Sequence, residues 1–65
     1  MNRERAIEAR VVDTKTGAVL VESTSIGEAV TAASHLIGGR AMQVIVQRRV
    51  SPRDWHTVAT IGDPS

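Results

Sequence analysis

The chain contains no cysteine, no phenylalanine and no tyrosine, and Trp55 is its single aromatic residue. Without thiols there is no disulfide staple and no thiolate metal site, and nothing points to an oxidising compartment. Only two histidines are present, His35 and His56, too few and too far apart for a closed structural zinc site. One-sided charge is missing too. Eight Lys and Arg face seven Asp and Glu, a net charge of +1, so attraction to nucleic acid is not the default. The longest apolar run, Ala18-Val19-Leu20-Val21, falls far short of the roughly 20 residues a membrane span needs. No apolar leader follows Met1–Arg5, so the expected address is the cytoplasm and no membrane partner is expected. Internal repeats, low-complexity tracts and linkers are lacking as well.

What is there fits a small folded domain. The 65 residues are 42% hydrophobic and 23% charged, read as one domain over 1–65 with frayed ends at 1–5 and 62–65. A chain of this length buries only about 60% of its unfolded surface, so a partner helps to stabilise it. Seven arginines against one lysine reflect a GC-rich coding sequence more readily than a guanidinium chemistry.

Residues 6–13 and 18–23 are rich in β-branched side chains and flank Thr14-Lys15-Thr16-Gly17, a hairpin signal. A three-residue loop, Lys15–Gly17, with Gly17 left-handed predicts Val12 opposite Leu20, Arg10 opposite Glu22 and Val11 opposite Val21. Ile7, Ala9, Val11, Val19 and Val21 then share one face. Ser25-Ile26-Gly27-Glu28 fits a capping box, in which serine and glutamate each satisfy the other's backbone amide. Ile26, Ala29, Val30, Ala33, Leu36 and Ile37 follow at helical spacing, and Gly38-Gly39 stops the helix, giving a helix over 26–37. Met42–Val50 and Trp55–Ile61 read as strands joined by a type I turn at Ser51-Pro52-Arg53-Asp54. Pairing Val50 with Trp55 sets Val46 against Ala59 and Val44 against Ile61. It places Trp55 in the core, with only Arg48 and Thr57 interrupting that inner face.

The expected fold is therefore α+β: ββαββ, a four-stranded sheet of two hairpins with one helix packed on one face, strand order open. One 12-residue helix covers one side only. The other side is expected to carry Val12, Leu20, Ile45 and Val58 in a frame that includes Gln47, Arg49 and His56, an apolar centre with a polar rim as interfaces have.

Catalytic constellations are absent from this reading. Ser34 and His35 are adjacent on a helix and point about 100° apart, and Ser51 and Asp54 are explained by their turn. His35 reads as a helix-boundary residue. Neither phosphate-loop pattern occurs, and so small a core leaves no room for a substrate pocket. No cofactor, metal or small-molecule substrate is expected.

The functional expectation is a non-enzymatic protein–protein interaction module: a small regulator, inhibitor or assembly factor, compatible with a phage or mobile-element origin. It would dock through a sheet face or edge onto another protein, foremost a second copy. The alternative is DNA or RNA binding by the second hairpin, using Arg40, Gln43, Gln47, Arg48, Arg49 and Arg53. Arginine reads guanine and glutamine reads adenine from a two-stranded ribbon in a major groove. Trp55, assigned to the core, is not available there for stacking.

Overall fold

Alternating apolar residues build four strands, Ala9–Asp13 (β1), Val19–Ser23 (β2), Gln43–Ser51 (β3) and Asp54–Gly62 (β4), around one helix, Ile26–Ile37 (α1). These elements come from a computed structural model that describes residues 6–63, so the frayed ends expected at 1–5 and 64–65 lie outside the described residues. Gly62, expected to fray, instead belongs to β4. The strands form one antiparallel sheet in the order β2-β1-β3-β4. Because β2 and β3 both run antiparallel to β1, they are parallel to one another and need a crossover. The crossover is α1, which packs against all four strands on one side of the sheet.

The predicted helix boundaries match, and the end signals act much as their chemistry requires. Ser25 is extended (φ −136°, ψ 132°) and its Oγ accepts from the Glu28 backbone N–H at 3.3 Å. The reciprocal half of the capping box is relayed. Ser25 N–H donates to Ser23 Oγ (3.1 Å), and Ser23 Oγ donates to the Glu28 carboxylate (2.9 Å). The last residue of β2 thus completes the helix cap. At the other end Gly38 takes the left-handed conformation (φ 41°) and donates to the Ser34 carbonyl.

The fully buried core is Ala9, Val11, Ala29, Ala33, Val44 and Val46. Alanines on α1 let it approach β1 and β3 closely, and among the described residues nothing larger than valine is fully covered. Val21, Leu36, Ile37, Met42, Ala59 and Ile61 border this core half-buried, whereas Ile26 and Val30 of the predicted stripe are exposed. Fully burying a valine contributes roughly 1.5–3 kcal/mol, so three of them make a modest core.

Three irregularities change the expected register. The first hairpin has a four-residue loop, Thr14–Gly17, closed by Gly17 N–H on the Asp13 carbonyl (2.8 Å) and Asp13 N–H on Ala18 (2.9 Å). Arg10–Glu22 and Val11–Val21 pair as expected, but Val12 faces Val19, so Leu20 is the extra residue of a bulge. Val19 therefore leaves the inner face and is 45% exposed. In the second hairpin Val44–Ile61 and Val46–Ala59 hold, and then Val58 bulges from β4, giving Gln47–Thr57, Arg48–His56 and Arg49–Trp55. A compensating bulge at Val50 restores Ser51 opposite Asp54. Since among the described residues none other than glycine has positive φ, the Pro52-Arg53 turn is unprimed. Such turns splay twisted strands, and an adjacent bulge returns the right-handed twist.

Two sets of variants test this account. Ser25→Ala and Ser23→Ala should each lower stability by about 0.5–2 kcal/mol in urea unfolding, because each removes part of the relay. Gly62 has φ +90° and a Cβ there would meet the Met42 carbonyl oxygen and Ile37 Cδ1. Gly62→Ala should therefore cost about 1–3 kcal/mol, read from the same transition.

Candidate functional site

The side of the sheet away from α1 is built by the alternate residues of each strand. Arg10 and Val12 come from β1, Gln43, Ile45, Gln47 and Arg49 from β3, and their cross-strand partners from β2 and β4. Val19, Val12, Ile45 and Thr60 form one row across all four strands. The next row is Glu22, Arg10, Gln47 and Thr57, and beyond it Arg49 faces Trp55. Val12 and Ile45 are half-buried neighbours at the centre.

Trp55 is thus on the open face and not in the core, because the two bulges together shift its partner from Val50 to Arg49. The Arg10 guanidinium lies 4.2 Å from the indole centroid and that of Arg49 lies 4.8 Å from it. Contacts of this kind contribute about 0.5–2 kcal/mol each. Arg10 reaches across β3 to make its contact, although Glu22 stands directly opposite it on β2. Its Nε donates to Gln47 Oε1 at 2.7 Å, and Gln47 Nε2 donates to Thr57 Oγ1 at 3.4 Å. Arg49 Nε is buried without a hydrogen-bond partner, a penalty that its stacking on the indole must offset.

The remaining expected site residues are more dispersed. Thr57, placed inside by the sequence register, lies on the open face. His56, expected on the open face opposite Arg49, pairs with Arg48 on the helix side, beyond the core and exposed. Leu20 and Val58 sit in edge-strand bulges, 40% and 50% exposed. Of the proposed nucleic-acid set, Gln43 has its Oε1 engaged by Thr14 Oγ1 (3.2 Å), and Gln47 is held as above. Arg53 is at the hairpin tip, and Arg40 follows the helix stop at the opposite end of β3. These arginines do not form one cluster. The signal that could have located Trp55 was the polar interruption itself: a core face carrying both Arg48 and Thr57 asks for a register shift between them.

Concavities elsewhere are shallow, such as a groove of about 340 Å³ between Val21 and the helix residues Ala32, His35 and Leu36. Among the described residues no group of three or more His, Asp or Glu is placed to hold a metal ion. No described helix is long and apolar enough to cross a membrane. The chain matches no protein-family model, no curated protein and no solved structure.

Arg10→Ala and Arg49→Ala should each strip cover from the indole. The expected outcome is a red-shifted, more readily quenched Trp55 emission and a stability loss of about 0.5–2 kcal/mol, read by fluorescence in urea.

Proposed function

We propose that the protein is a non-enzymatic interaction module that works as a homodimer, stacking the open sheet face of one copy on that of another. The observation that carries this reading is an inversion of the usual distribution. The largest side chain, Trp55, lies on the uncovered face with Val12 and Ile45, while among the described residues the fully buried core holds only alanine and valine. Tryptophan and arginine are the residues most enriched at the centres of protein interfaces. A monomer with so small a core gains from covering that face. Four strands 4.8 Å apart and five to nine residues long offer roughly 500 Å² in projection, near the lower end of what each partner contributes to a stable interface.

Edge-to-edge pairing is the less favoured mode. Both edge strands, β2 and β4, carry a bulge, at Leu20 and Val58 respectively. Bulges at edges twist the strand away from a would-be neighbour. A dimer of this kind suits a small regulator, inhibitor or assembly factor.

The expected behaviour is a mass twice that of the chain in light scattering, falling to the chain mass in Ile45→Glu while the helical circular dichroism persists. Dilution of the wild type should red-shift Trp55 emission, since the only indole sits in the interface. A single-chain mass at several hundred micromolar protein (on the order of the weakest specific homodimers) would refute the reading.

Nucleic-acid binding is the second reading, supported by Trp55 lying beside two arginines on an open sheet. It must break the hydrogen bonds already made by Gln43 and Gln47, at about 1 kcal/mol each. Gel shifts at two salt concentrations separate the two: steep salt dependence abolished by Arg49→Ala belongs to this second reading.

A further inference from the structure

We infer that the two copies are related by a two-fold axis running parallel to the strands, which sets β3 and β4 of one copy on β1 and β2 of its partner. The inference rests on the homodimer reading above and deepens it. Its basis is the distribution of charge across the open face. Arg49 is on β3, and Arg10, although rooted in β1, extends over β3 to lie on the indole of Trp55. Both guanidiniums therefore stand on the β3–β4 half.

The carboxylates occupy the other half. Glu22 is on β2 and exposed, and the arginine directly opposite it is turned away towards Gln47 and Trp55. Glu8 is exposed two residues before Arg10 and so on the same side of β1; its carbonyl accepts from Arg49 N–H at 2.8 Å, which fixes it at the level of Arg49. The open face is cationic and aromatic on one half and anionic on the other.

Two in-plane axes can stack this face on itself. An axis perpendicular to the strands lays each strand on itself and reverses the levels along it: placed at Arg49 it sets guanidinium against guanidinium, and placed at the Val12–Ile45–Thr60 row it turns the Arg49 end onto the Gln43 end, with no carboxylate of the partner opposite the guanidiniums. An axis parallel to the strands reverses the order of strands but keeps each residue's level along them. Arg49 then faces Glu8 of the second copy, the indole with its two cations faces the strand that carries Glu22, and Val12 faces Ile45. Like charges brought together in a desolvated interface are strongly unfavourable, whereas complementary pairs fix the register.

The test exploits the absence of native cysteine. In the full chain, Val12→Cys and Ile45→Cys proteins are mixed and treated with a short bismaleimide; Thr60→Cys, on β4, is treated alone. The parallel axis gives cross-linked dimer in the mixture and none from Thr60→Cys. Self-cross-linking of Thr60→Cys in a protein that is dimeric by light scattering overturns the axis but leaves the dimer reading standing. A wild type that is monomeric overturns both. A charge arm starts from Glu8 and Glu22, both exposed. Glu8→Arg combined with Glu22→Arg should weaken self-association about tenfold or more, and mixing it with Arg10→Glu combined with Arg49→Glu should restore a dimer of mixed composition. Unchanged association of the Glu8→Arg, Glu22→Arg protein overturns the inference, and circular dichroism of each variant reports its folding independently.

Discussion

The pairing of Arg49 with Trp55 is the constraint on which the open face depends. It exists only because β4 gains a residue at Val58 and β3 gains one at Val50, two steps that cancel at the turn but not between them. Within that short stretch each β4 side chain, Trp55 to Thr57, exchanges faces relative to an unbulged hairpin. An indole that the unbulged register assigns to the core is thereby delivered to the side without a helix. Two guanidiniums then settle over it, and Gln47 ties one of them in place.

This arrangement also explains the small core. With Trp55 outside and alanines at the helix contact, α1 lies close upon β1 and β3, and valines suffice to fill the space. Close approach and a small covered volume are two sides of the same choice. The apolar surface that a larger core would have absorbed is distributed instead over the open face and the bulges, where Leu20, Val50 and Val58 are each 40–50% exposed.

Much of this was legible in the residues. The ββαββ order, the helix at 26–37, its serine cap and glycine stop, and the central pairings Arg10–Glu22, Val11–Val21, Val44–Ile61 and Val46–Ala59 all follow from periodicity and turn chemistry. Alternation also assigns Val12 and Ile45 to the uncovered side, where they lie. What failed was everything downstream of a bulge: Val19, Thr57, His56 and Trp55 each landed on the wrong face. A bulge leaves alternation intact on either side and merely changes its phase, so no local propensity marks it. The strand order was likewise invisible, because β1–β3 pairing is set by how α1 crosses over and not by any turn.

Ser23 has a further consequence. It ends the edge strand β2, and its hydroxyl bridges the Ser25 amide and the Glu28 carboxylate at the start of α1. A five-residue strand on a sheet margin ordinarily frays independently of its neighbours. Here opening that margin also unlatches the first helical turn, so the two segments should lose amide protection as a single cooperative unit.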